Sequence, residues 1–257
     1  MMNRTIKIIS GVLFLSSLLL GHASAQTTIS LFVSQDAYID GLNPDENYGK
    51  DGGLAHSRSD IGGKKVYMLF DFSGPEWDQA RAQAIGVESI TFFSNSGNTR
   101  RNDLYMIRPV DGLDTWTEDG ITWNNAPGNN VEGTNRGFAP FEGESIYPMG
   151  SNVSAFGWRT VVFDETQSAL LLSALLNEDN KVTIGSRNNA TQAGQFWFFG
   201  RDYEGSSRGF DFELGDAAAY LTVTVPEPST YALIFGGLFL LLAVVRRRKG
   251  VRSDSVS

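Results

Sequence analysis

Short apolar runs separated by Gly, Asn, Asp and Ser recur through the middle of the chain, a pattern that predicts many short strands joined by tight turns. Strands are expected over 28–33, 66–72, 88–93, 103–110, 158–163, 181–185, 195–199 and 220–225. The last of these alternates, with Leu221, Val223 and Val225 facing one way and Thr222 and Thr224 the other, as suits a strand with one face in water. Residues 66–70 and 196–199 are apolar at every position, so each is either a central strand or one that bares an aromatic face. One helix is expected over 166–176, where Leu171, Leu172, Leu175 and Leu176 fall at helical spacing behind Asp164 or Thr166 as N-cap. Such a helix would cover an open end of a barrel or sandwich. Residues 111–157 are the irregular part, rich in Gly, Asn and Pro with scattered Phe138, Phe141, Tyr147 and Phe156. No repeat of about 20 to 50 residues is visible, which argues against a solenoid or propeller.

The two ends follow other rules. Arg4 and Lys7 precede an apolar run over 8–20, and Ala23-Ser24-Ala25 offers a small-x-small cleavage site, so 1–25 reads as a secretory signal peptide. Near the other end, residues 231–245 carry no charge and are followed by Arg246-Arg247-Arg248-Lys249. As a helix that run reaches about 22 Å, slightly short of a hydrocarbon core, and the cations behind it favour a cytoplasmic C-terminus. Pro226 and Pro228 keep the preceding stretch extended and open to a protease. The expected organisation is a signal peptide (1–25), one β-domain (26–225), a segment with a transmembrane helix (226–250) and a cytoplasmic tail (251–257). The order Pro226-Glu227-Pro228, apolar run, basic cluster resembles the PEP-CTERM sorting signal. That resemblance implies processing by a membrane transpeptidase of the exosortase type and a destination in the cell envelope or extracellular matrix, after transient anchoring by the helix. The alternative is an ordinary single-span anchor.

Charge sharpens the picture of the β-domain. The whole chain carries −8, but residues 26–225 hold 14 basic against 27 acidic residues, a net of −13. Nucleic acid and anionic membrane surfaces are therefore poor partners, since both require clustered Lys and Arg. The chain has no cysteine, so an exported domain must rely on its core rather than on disulfides.

Candidate chemistry is sparse. Asp36, Asp40, Asn43, Asp45 and Asn47 crowd oxygen ligands at a density that suits a structural Ca²⁺, although the spacing fails the EF-hand pattern, with Tyr48 where Gly is needed. Asx-turn chemistry on a solvated loop is the alternative. Arg100 and Arg101 could fork onto a uronate or sulfate, as could Arg201 and Arg208 beside Tyr203. Arg201-Asp202 could equally be an internal ion pair. Trp116 and Trp123 would stack on a sugar or pin a corner between sheets, the second reading being preferred. With His22 in the signal peptide, His56 is the one histidine left to the domain, so His-based zinc sites and most nucleophilic triads lack parts. A carboxylate pair for glycoside hydrolysis remains open. No cofactor is required.

Several pieces then line up: Asp36-Ala-Tyr38 before Asn47-Tyr-Gly49, Phe70-Asp71-Phe72, Trp116-Thr-Glu-Asp-Gly-Ile-Thr-Trp-Asn-Asn-Ala-Pro127, and Gly200-Arg201-Asp202 after an aromatic strand. This resembles the DNRLRE domain, related to the disaggregatase-type carbohydrate-binding modules. The resemblance implies an all-β, jelly-roll-type β-sandwich with one short helix, exported and non-catalytic, that binds or organises extracellular polysaccharide. An envelope glycoside hydrolase or polysaccharide lyase, and a purely structural matrix protein, are the alternatives. Two departures from the family stand out: a long loop after Pro127, and an acidity that disfavours a polyanionic glycan.

Overall fold

The computed structural model describes residues 26–58, 63–95, 100–108, 114–129, 138, 145–177, 179–188 and 194–227. The expected signal peptide, the expected transmembrane helix, Pro228 and most of the loop after Pro127 lie outside them. Residues 28–224 form one compact unit. Residues 1–27 and 225–257 form a second, in which Gln26 and Thr27 begin the first strand and Val225 and Pro226 end the last. Among the described residues, no helix is long and apolar enough to cross a membrane.

Among the described residues, twelve strands follow in chain order: β1 (Gln26–Asp40), β2 (Gly53–Arg58), β3 (Lys64–Asp71), β4 (Gly86–Ser94), β5 (Arg100–Arg108), β6 (Ser145–Ser154), β7 (Gly157–Val162), β8 (Lys181–Asn188), β9 (Gly194–Phe199), β10 (Gly205–Ser207), β11 (Phe210–Phe212) and β12 (Tyr220–Pro226). Ten join in the order β1-β12-β4-β9-β2-β3-β8-β5-β6, with β7 paired to β4, and β10-β11 form a separate hairpin. Because β1 also pairs with β3 from Val33 to Asp40, the path closes on itself like a barrel, and the architecture is the expected all-β, sandwich-like one. All eight expected strands are present. β1 is the one that changes most: after an irregularity between Val33 and Gln35 it continues to Asp40, so Asp36 and Asp40 belong to a strand rather than a loop.

The helix over Glu165–Leu175, here α2, starts at Asp164, whose carboxylate accepts from the Gln167 amide while the Gln167 side chain returns a bond to the Asp164 amide. Leu171, Ala174 and Leu175 enter the core, whereas Leu176 lies past the helix end and is exposed. A second helix was not foreseen. It is α1 (Asp78–Gln83), preceded by a 3₁₀ turn at Pro75–Trp77, and it buries no residue, which is why no apolar period announces it.

Three apolar clusters account for the sequence pattern. The largest lies inside the sheet and includes Leu31, Phe70, Ile90, Phe92, Ile184, Phe198 and Leu221. The second, with Tyr67, Ile107, Ile121, Trp123 and Ala126, lies where the segment 114–129 packs on β3 and β5. The third gathers Phe93, Phe199, Phe212 and Ala217 beneath the β10-β11 hairpin. β3 is apolar on both faces because it has a core on each: Val66, Met68 and Phe70 belong to the first cluster and Tyr67 to the second. β12 departs from clean alternation, since a register shift between Thr222 and Val223 leaves Thr224 buried, with its hydroxyl donating to Glu88.

Candidate functional site

The segment carrying the two tryptophans is a structural clasp. Trp123 is buried, and the Lys65 ammonium lies 4.8 Å from its ring and 5.1 Å from that of Phe138. Trp116 donates from Nε1 to the Thr183 hydroxyl at 2.7 Å, and Thr183 donates onward to buried Asp114 at 2.6 Å. The indole is thus satisfied by a side chain on β8. Asn125 closes the turn between them, accepting from the Thr122 amide and donating to the Gly120 carbonyl, while Tyr67 donates to the Pro127 carbonyl at 2.9 Å. Asn47 donates to the carbonyls of both Glu118 and Ile121 at 2.7 Å. Beside it Gly49 runs so close that a Cβ there would lie 2.0 Å from the Glu118 carbonyl oxygen. The Asn47-Tyr-Gly49 and Trp116–Pro127 motifs are therefore two halves of one contact.

Arg201 locks that contact to the end of β9. Its guanidinium bonds Glu118 at 2.5 Å and Asp202 at 3.4 Å and donates to the Ser34 carbonyl, and its amide donates to Asp36 at 2.8 Å. The internal ion pair is the arrangement present. Burial pushes the Asp36 carboxyl up to about 7, against the Arg201 amide bond that favours its charged form, and burial likewise raises Glu118.

The remaining oxygen ligands turn to separate partners. Asp40 accepts from the Leu42 amide and the Asn43 side chain and pairs with Lys64 at 3.2 Å, while Asp45 accepts from Asn124 at 2.7 Å. Among the described residues, no three of His, Asp or Glu gather where they could hold a metal ion. Arg101 is exposed on β5, with its guanidinium on the Ser151 hydroxyl, and Arg100 pairs with Ser154 in the same ladder near the far end of the sheet path. Tyr203 stacks on Phe199 with centroids 3.7 Å apart. Arg208 is exposed and lies 5.0 Å over Phe156. Five cationic and aromatic candidates thus fall in three places rather than one. His56 is buried with its Nε2 3.0 Å from the Ser186 hydroxyl, and burial holds its pKa down at about 3. Lys65, 2% exposed, is pushed down to about 7 by burial and by Arg187.

What sequence reasoning passed over is an aromatic surface. The segment 114–129 covers one outer face of the sheet and the β10-β11 hairpin covers part of another. Among the described residues, the outward side chains between β1 and β7 carry no such cover: Phe32 is 53% exposed and Trp158 41%, and Phe210 on the hairpin is 43% exposed. Phe32 lies 5.5 Å from Tyr220, and Tyr220 lies 6.3 Å from Trp158. Phe93 then links Trp158 at 5.3 Å to Phe156 at 5.4 Å and Phe210 at 5.3 Å. The signal that could have found this row is the alternation in β7, where Trp158, Thr160 and Val162 all face out.

Residues 27–198 match the model of carbohydrate-binding module family 96, and residues 224–249 match the PEP-CTERM protein-sorting motif. No curated protein matches the chain.

Proposed function

The chain belongs to carbohydrate-binding module family 96, and from that premise we propose that it is an exported, non-catalytic protein that binds extracellular polysaccharide and reaches the cell envelope through an exosortase-type enzyme. The observation that carries the reading is the division of labour along the chain: the family match spans most of the compact unit 28–224, and the sorting motif begins at its end. In this reading Pro226, Glu227 and Pro228 are the recognised motif, and the apolar run over 232–245 anchors the protein until the tail is processed. His56, the one histidine of the domain, is buried with its pKa held down at about 3, so it is not available as a general acid or base, which supports binding over His-based catalysis.

The net charge of −13 over 26–225 favours neutral glycans as direct ligands, because screening over about 8 Å weakens repulsion of a polyanion without reversing it. An anionic polymer has two routes: a basic patch at Arg100 and Arg101, or Ca²⁺ shared between carboxylates of protein and polymer. The first weakens with salt and ignores chelator, and the second is lost in chelator and restored by Ca²⁺.

The test is affinity electrophoresis of the full-length chain, in mild detergent, through gels containing neutral or anionic polysaccharides, with an assay for new reducing or unsaturated ends. Retardation without cleavage is expected. New chain ends would make it a hydrolase or lyase, and free migration in every gel would make it a structural matrix protein.

A further inference from the structure

We propose that the outward face of β1, β12, β4 and β7 is the ligand-binding face, and that it takes a neutral, polyhydroxylated glycan laid across Phe32, Tyr220 and Trp158. The proposal rests on the carbohydrate-binding reading above and assigns it a place.

The strand registers put Tyr220 opposite Thr91, Thr91 opposite Thr160, Thr222 opposite Ser89, Ser89 opposite Val162, and Phe93 opposite Trp158. On one face this sets the rings of Phe32, Tyr220 and Trp158 beside the hydroxyls of exposed Thr160 and half-buried Thr222, with Ser89, Thr91 and Phe93 buried between the strands. The hydroxyls are held in place: Ser89 donates to Thr222 at 3.1 Å, and Thr91 and Thr160 share a bond of 2.9 Å. Thr222 accepts from Ser89, so its own proton remains available to a ligand hydroxyl. Thr160 is exposed beside Trp158.

The second argument is charge. Phe32, Tyr220, Thr222, Trp158 and Thr160 carry no group that is charged near neutrality, on a domain carrying −13, and the carboxylate beside them on β4, Glu88, accepts from the Thr224 hydroxyl at 2.7 Å. Arg159 points off this face, its guanidinium donating to the carbonyls of Ala155 and Phe156, and Arg208 lies over Phe156 at the margin. Sugar rings present apolar C–H faces to stack on aromatic rings and hydroxyls at their edges, so an uncharged face of rings and hydroxyls matches a neutral glycan in both respects. An anionic polymer finds no counter-charge there.

The rings on this face are set at an angle to one another, with interplanar angles of 54° for Phe32–Tyr220 and 53° for Tyr220–Trp158. A flat crystalline surface could not contact all three at once. A single chain that twists from one sugar to the next could, which selects soluble chains over crystalline arrays.

The test compares full-length wild type, F32A, W158A and W158F in mild detergent, by affinity electrophoresis in galactomannan, mixed-linkage β-glucan and alginate gels. Melting temperature and light-scattering mass are measured alongside. Wild type should be retarded by a neutral polymer, and F32A and W158A should each weaken that binding by about tenfold at unchanged melting temperature, with W158F recovering part of it. Wild-type binding that survives both alanine variants overturns this face while leaving the carbohydrate-binding reading intact. Retardation by alginate alone overturns the neutral ligand. Binding to no polymer removes the carbohydrate-binding reading and this inference with it. A dimer that becomes monomeric in W158A, without loss of a glycan, would make the face a contact between two copies of the chain.

Discussion

Arg201 and Glu118, 83 positions apart in sequence, meet at 2.5 Å between Nη2 and Oε2, and through them the end of β9 is tied to the tryptophan-bearing segment. Glu118 also accepts from the Asp36 amide at 3.1 Å, and its own amide donates to Gln35 at 2.7 Å, so three parts of the chain depend on one carboxylate. Arg201→Ala leaves that carboxylate partly buried without its cation and should destabilise the domain by about 2 kcal/mol, seen as a lower urea midpoint. Arg201→Lys should recover less than half, since an ammonium cannot reach Glu118, Asp202 and Ser34 together. If Arg201→Ala unfolds at the wild-type midpoint but loses glycan, the side chain is a ligand contact instead.

Trp123→Ala empties the centre of the second cluster and strips the Lys65 ammonium of one of its two aromatic faces. The expected cost is about 3 to 5 kcal/mol, from lost burial and an unfilled cavity. Thermal melting followed by near-ultraviolet circular dichroism reads it directly. Unchanged melting with abolished sugar binding would make Trp123 a stacking platform.

Stability should depend on pH through Asp114. Burial pushes its carboxyl up to about 7, with Asp179 adding to the shift and the Thr183 hydrogen bond opposing it. A raised carboxyl favours the folded state while protonated, so its contribution is present below about pH 4 and is lost as pH rises toward 7. Asp36 acts in the same direction, whereas His56, held near 3, opposes both by losing stability as pH falls below about 6.5. Asp114→Asn removes one of the declining contributions, leaving those of Asp36 and Glu118 in both proteins. Its stability relative to wild type should improve by about 2 to 4 kcal/mol between pH 4 and pH 7.5 in urea titrations. Parallel pH profiles for the two proteins would sink the assignment.

Glu227→Ala should leave a longer, membrane-bound species if the segment 226–228 is read by a processing enzyme. Fractionation of expressing cells with an exosortase-type system, followed by blotting, compares the two forms. Release of the variant at the wild-type rate would falsify the sorting role.

Period and punctuation along the chain were enough to determine the all-β class, the eight apolar strands and the capped helix, because each of these is dictated by neighbours a few residues apart. Pro226-Glu227-Pro228 with its apolar run and basic cluster was equally legible, being a linear motif. Four strands were not. β2 reads Gly-Leu-Ala-His-Ser-Arg and becomes a strand because β9 pairs with it along its whole length. β6 carries Pro148 and Gly150, which a strand at the end of the sheet path tolerates. β10 and β11 turn through Arg208-Gly209, both at positive φ, where sequence rules look for Asn or Asp before the Gly. The site divides the same way. Arg201 and Asp45 look alike as free or engaged until the fold supplies Glu118 to the one and Asn124 to the other from more than 70 positions away. Phe32, Trp158 and Tyr220 lie on three strands far apart in the chain, and whether such rings are core or surface is decided, among the described residues, by which outer face the segment 114–129 and the β10-β11 hairpin pack against. Burial is a property of the assembled layers, and no local pattern of hydrophobic residues contains it.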